Sequence, residues 1–228
     1  MKKLFILSLF AIAMGYVESA VVVYLRELSS TNPAQLFPMT FLSPRIALVE
    51  FLREAATIIM LGSVASIEND QIWQKFFKFS FMFGIWDISY YVFLKIITGW
   101  PGSIFDFDIL FLIPIAWIGP VIAPILISIL LSVSSVLILR RANSSNQAIK
   151  IRKLDVSLFI IGSAFVLFSF MKDVAYILFR TGVEGLKNWT PTSFDWTPFA
   201  IGYIFMMLSA ARTITGGYKI IIRSEVTK

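Results

Sequence analysis

Cysteine and histidine are both absent from the 228 residues. Without cysteine there are no disulfides, thiolate nucleophiles, cysteine-ligated clusters or zinc-finger spacings. Without histidine there is no histidine-ligated haem, Ser-His-Asp chemistry or histidine pH switch. Any chemistry must use carboxylates, lysine, arginine, tyrosine or hydroxyls. Charge is scarce as well. Only 15% of residues are charged and 57% are hydrophobic, whereas a soluble domain carries roughly 25% charged residues. With a mean hydropathy of +0.80, the chain reads as a polytopic membrane protein, not a soluble, disordered or fibrous one. The net charge of +6 sits in short loops between apolar runs, which fits a role in topology and argues against nucleic acid.

What is present is a series of apolar runs. A bilayer crossing needs about 20 residues. Six runs qualify, near 4–24, 46–66, 76–97, 109–139, 156–179 and 198–215. The expectation is an all-α bundle of about six spans forming a single integral membrane domain, residues 1–228. Lys2 and Lys3 before Leu4–Met14 mimic a secretory signal, but the apolar run resumes through Val21–Val23, so an uncleaved first span is expected. The fourth run contains Pro114, Pro120 and Pro124, so it should be a proline-broken span with a bent or re-entrant entry.

Lys and Arg set the orientation. With the N-terminus inside, the inner segments hold Lys2, Lys3, Lys75, Lys78, Arg140, Arg141, Lys150, Arg152, Lys153, Lys219, Arg223 and Lys228. The outer ends hold only Arg26, Arg45, Lys95, Arg180 and Lys187. This bias puts both termini, a basic loop at about 140–155 and a tail at about 216–228 in the cytoplasm. A possible duplication is also visible. Trp100-Pro101 through Phe105-Asp106-Phe107 parallels Trp189 through Phe194-Asp195-Trp196, and Asp87-Ile88-Ser89-Tyr90 parallels Asp173-Val174-Ala175-Tyr176. Spans three–four and five–six would then be repeated hairpins, one way in which transporters are built. Interfacial aromatics arising independently are the alternative.

Charges inside the apolar runs are the main candidates for function, because each costs about 2.5–3.5 kcal/mol on insertion scales. They are Glu18, then Glu50, Arg53 and Glu54, then Asp87, then Lys172 and Asp173. At 1.5 Å per residue, Glu18, Glu50 and Asp173 lie about 10 Å below the outer ends of their spans, and Glu54 and Asp87 about 15 Å. Four helices thus deliver charge to one layer. Glu50, Arg53 and Glu54 share a helix face, and Tyr90, Tyr91 and Tyr176 accompany Asp87 and Asp173. Acids outnumber bases in this layer, so it needs protons, a cation, further arginines (Arg26 or Arg180) or water. The competing reading is a set of ion pairs that hold helices together.

Other features are weaker. Ser169 and Lys172 mimic a serine–lysine dyad. Asp106 and Asp108 read as acids at a wet loop end or helix N-terminus more than as ligands of a divalent cation. Arg212 should snorkel to the inner surface. There is no phosphate loop, dinucleotide fingerprint or metalloprotease motif, and neither a metal nor a cofactor is expected.

Met14-Gly15-Tyr16-Val17-Glu18-Ser19-Ala20, Arg53-Glu54-Ala55-Ala56-Thr57, Phe83-Gly84-Ile85-Trp86-Asp87-Ile88-Ser89-Tyr90-Tyr91, Asp108 to Pro114 and Trp117 to Pro124 together resemble an uncharacterised group of bacterial multi-pass inner-membrane proteins. The resemblance covers about the first 125 residues. It implies a bacterial inner-membrane location and carries no activity. Three functional classes follow from the residues: a small proton- or cation-coupled transporter, a scaffold or subunit of a membrane complex, and a membrane-embedded enzyme acting on a lipid or isoprenoid. The acidic layer favours the first, whose partners would be the bilayer and a small cation or proton.

Overall fold

Five of the six long apolar runs become helices that extend past them into flanking residues, and the fourth is helical only from Ile122. A computed structural model describes residues 2–29, 36–37, 43–144, 148–216 and 218–219. Among the described residues the helices are α1 (Lys2–Ser29), α2 (Pro44–Ser66), α3 (Ile72–Thr98), α4 (Ile122–Ser144), α5 (Lys153–Lys187) and α6 (Trp196–Gly216). Local chemistry sets their ends. The Ser43 hydroxyl accepts from Ile46 N at 3.4 Å, and Pro44 opens α2 where a missing N–H costs nothing. Gln74 accepts from Gln71 N at the start of α3. Gly99 closes that helix with a left-handed φ of 75°. Five helices, α1 and α3 to α6, are long and apolar enough to cross a membrane, the architecture of a multi-pass membrane protein. The second helix is of similar length but carries Glu50, Arg53 and Glu54 close together, which keeps it out of that set.

The fourth apolar run departs from the expected proline-broken span. Its first part is not helical. Strand β1 (Phe107–Phe111) pairs antiparallel with β2 (Trp117–Pro120), and α4 starts only at Ile122. Pro114 falls in the turn and Pro120 ends β2, while Pro124 sits in the first helical turn, where proline is tolerated. The hairpin is wedged between the helices. Phe111 packs against the buried cluster that holds Leu61, Phe81 and Trp86, and Trp117 against the one that holds Phe170 and Phe199. The strands pair with each other, and Asp108, Ile118 and Gly119 are buried, so part of the hairpin's polar backbone is satisfied within the protein.

Both described chain ends lie at one end of the bundle. Leu4, Phe77, Ile138, Ile149 and Ile214 pack together there. Lys3 pairs with Glu68 at 2.7 Å, Arg141 Nη1 donates to Ile214 O at 2.6 Å, and Arg152 donates to Gly216 O at 3.4 Å. The two-residue strands β3 (Ala148–Ile149) and β4 (Tyr218–Lys219) also pair there. Of the expected inner charges, Arg223 and Lys228 lie outside the described residues, as does most of the expected 216–228 tail.

Helix α3 packs on α1 and α4, and α5 packs on α6, so the two expected helical hairpins form. Their connections differ. The first contains β1 and β2, and residues 188–195 contain no strand. Asp106 accepts from the backbone of Gly102 and Ser103, whereas Asp195 accepts from Thr197 N and pairs with Lys172. The likeness between the two halves stops at hairpin packing and the sequence motif. Small residues permit the close crossings. A Cβ on Gly15 would lie 2.7 Å from Ser89 Cβ, and one on Gly162 would lie 2.7 Å from Gly202 O.

Candidate functional site

Gly15 draws α1 against α3, and one turn later α1 presents Glu18 to α2. Arg53 reaches two acids at once. Its Nη1 donates to Glu18 Oε1 and its Nε donates to Glu50 Oε2 at 2.8 Å. Thr57 Oγ1 lies 3.5 Å from Glu18 Oε2 and 3.1 Å from Arg53 O. Glu50 is buried, while Glu18 and Arg53 are partly buried. One guanidinium faces two carboxylates here, so this group carries excess negative charge if all three are ionised.

Glu54 shares the face of Glu50 and Arg53 but turns to the β-hairpin. Its Oε2 accepts from Leu112 N at 2.8 Å. This contact ties α2 to the hairpin turn. Asp87 on α3 accepts from Ser128 Oγ of α4 at 2.7 Å.

The reading from sequence missed a further group. Asp108 is not a wet loop acid; it is 2% exposed. It accepts from Tyr91 Oη at 3.0 Å, and Arg26 Nη2 lies 3.7 Å away. The Arg26 guanidinium also stacks over Trp100, 4.2 Å from the ring centroid. Arg26 is 5% exposed, so this is an arginine drawn inward from the helix end. The missed signal was an apolar run of β-branched and aromatic residues bounded by prolines, which is a strand pattern. Tyr90 lies within electrostatic reach of Glu18, Arg26, Asp87 and Asp108, linking the two groups.

The charges of α5 do not join this set. Lys172 pairs with Asp195 at 3.0 Å and Asp173 at 3.5 Å, toward the bundle surface. Tyr176 is exposed and sits under Arg180. Ser169 donates to Val166 O at 2.6 Å, so no serine–lysine dyad forms. Asp195, in the α5–α6 connection, is held below its ordinary range by the Lys172 hydrogen bond and by Thr197 N. Arg212 does not simply snorkel: its Nε donates to buried Asp155 Oδ1 at 2.6 Å.

The expected convergence of four helices is therefore three helices, α1 to α3, with the β-hairpin and Ser128 of α4. Five acids (Glu18, Glu50, Glu54, Asp87, Asp108) meet two arginines (Arg26, Arg53). Among the described residues, no group of three or more acids is placed to hold a metal ion. The arrangement suits proton exchange or monovalent cation contact through single carboxylates and hydroxyls. Comparison with known proteins finds no matching family model, curated protein or solved structure.

Proposed function

We propose that this chain is a small proton- or cation-coupled transporter of a bacterial inner membrane, with both termini cytoplasmic. The observation that carries this reading is the acid excess between α1, α2, α3 and the β-hairpin. Acids outnumber arginines there by five to two, and a buried net charge of that size is unsustainable unless protons or a cation offset it. Groups that must take up a cation to be stable can also release one. Asp87 and Glu54 are the carriers in this reading, because each is held by a single neutral donor. Arg53 and Arg26 fix the remaining acids. The basic residues gathered near both chain ends support the orientation.

The test is flux in proteoliposomes under an imposed proton gradient and then a sodium gradient. Wild-type protein should dissipate at least one gradient, and an Asp87→Asn/Glu54→Gln double variant should lose that flux while staying folded. Equal flux from the two proteins under both gradients sinks the reading.

A second reading has a specific observation behind it. Each of the five acids already has a polar partner within the chain, as interhelical connectors in a scaffold or complex subunit would. That reading expects the same double variant to lower thermal stability and wild-type protein to show no flux.

A further inference from the structure

A cavity of about 240 Å³ lies between the α3–α4 and α5–α6 pairs, toward the end that holds both chain ends. None of the five acids of the candidate site lines it. Its wall is mainly apolar, with Trp73 and Phe76 from α3, Leu131 from α4, Phe159 from α5 and Met206 from α6. Helices α3 and α5 barely touch along their length. The seam between them is bridged by the Phe76 and Phe159 rings, edge to face at 5.7 Å. Side chains, not closely packed backbone, close the seam at that point.

The polar groups of the wall are not equivalent. Ser134 donates to Leu130 O at 2.6 Å, and Ser209 donates to Asp155 O at 2.7 Å. Ser135 is 0% exposed, and its hydroxyl has no hydrogen-bond partner among the described residues. A buried hydroxyl left unpaired is unfavourable. A buried water needs 2–4 polar partners; Ser80, Ser134, Asp155, Ser209 and Thr213 also line the wall, but Ser134 and Ser209 already donate to backbone carbonyls and Asp155 is paired with Arg212. A largely apolar molecule with one hydrogen-bonding group fits better.

Position narrows the choice. Ser135 lies five residues inside Arg140, or about 7–8 Å along α4. That is where the polar boundary of a bilayer gives way to hydrocarbon. The Arg212–Asp155 ion pair stands on the side of the chain ends, at the first turn of α5, and Leu131 and Met206 lie deeper. On α4 and α6 the wall runs inward from Ser135 and Ser209 to Leu131 and Met206, as a glycerolipid runs from ester to acyl chain.

We propose that this cavity is a lipid site: it takes one acyl chain of a glycerolipid laterally through the Phe76–Phe159 seam, and the ester carbonyl accepts a hydrogen bond from Ser135. The site does not depend on the transport reading, since it uses none of the same residues.

The test uses the full chain in nanodiscs of phosphatidylglycerol, a fraction of which carries a photoactivatable diazirine in one acyl chain. After irradiation, adducts are mapped by mass spectrometry. Adducts are expected on Leu131 and Phe159, beside those on outward-facing positions of the spanning helices such as Phe168. Ser135→Phe fills the cavity from α4 and should lower the cavity adducts about tenfold, equivalent to about 1.4 kcal/mol, with Phe168 labelling unchanged. Ala210→Phe fills it from α6 and guards against a folding defect in the first variant. Wild-type labelling confined to bilayer-facing residues overturns the proposal, and that is also what a water-filled cavity would give. Cavity adducts that survive both filling substitutions overturn it too.

Discussion

Arg53 shows what a single side chain does when two helices must share a charge inside an apolar bundle. It donates to Glu18 on α1 and to Glu50 on its own helix. Removing it leaves two carboxylates facing each other with no cation. Breaking a buried pair in this way costs about 3–5 kcal/mol, so Arg53→Met should lower the thermal midpoint sharply in a detergent melt. Adding Glu18→Gln should recover part of the loss, because one of the stranded charges is gone. A double variant no more stable than the single one would mean that Glu18 and Arg53 are not coupled. Lysine should rescue poorly at this position, since one ammonium cannot reproduce the geometry of Nε and Nη1. Tyr91→Phe is milder. It removes the 3.0 Å donor to Asp108, and leaving an acceptor short of a partner costs about 1–3 kcal/mol. The same melt reads it.

At the level of elements, α3 is the hub, since α1, α2 and α4 all pack on it. Its contact with α4 depends on Gly84. A Cβ there would sit 2.4 Å from Ser128 O and 2.2 Å from Ser132 Oγ. Gly84→Ala must push α4 away, and the displaced residue 128 is the one that holds Asp87 at 2.7 Å. Overpacking of this kind costs about 1–3 kcal/mol. Gly62 is the control, because nothing lies within 4 Å of its Cβ position. Gly62→Ala should be neutral or slightly stabilising through helix propensity. Equal losses from the two substitutions would contradict this packing. The same hub explains what the sequence made legible. Helices declare themselves through long apolar runs, and Glu18, Glu50, Arg53, Glu54 and Asp87 stand out because the bilayer penalises them. Which helices touch is not written in hydropathy. Lys172 and Asp173 have the same composition signal as Asp87, yet α5 packs on α6 and turns them to the surface. Asp108 was hidden for the opposite reason. It follows a Pro-Gly-Ser segment that reads as a wet loop, and only the folding of residues 107–120 back between the helices buries it.

Taken as a whole, the molecule is asymmetric along its axis: the end with both chain ends is basic and cross-tied, and the other carries the hairpin connections. Glu68, between α2 and α3, is one of the ties. Hydrogen bonds from Lys3 and Lys78 hold its carboxyl down to about 2 from its ordinary 4.5. A depressed acid stabilises the fold above its ordinary value and loses that contribution as pH falls toward the folded value. The stability difference between wild type and Glu68→Gln should therefore be constant above about pH 5, shrink below 4.5 and vanish near 2. The contribution is modest, because the side chain is 38% exposed and screened by solvent. A pH-independent difference would remove Glu68 from this role. The asymmetry also predicts orientation. Because the chain has no cysteine, any introduced thiol is unique. Ser103 and Asn69 are both exposed, at opposite ends of α3. With the basic end cytoplasmic, Ser103→Cys should react with a membrane-impermeant maleimide on intact cells, whereas Asn69→Cys should react only after permeabilisation. The reverse pattern would invert the topology and place the acyl-chain cavity in the outer leaflet. Labelling of both from outside would mean that α3 does not cross the membrane, and the transport reading would fall with it.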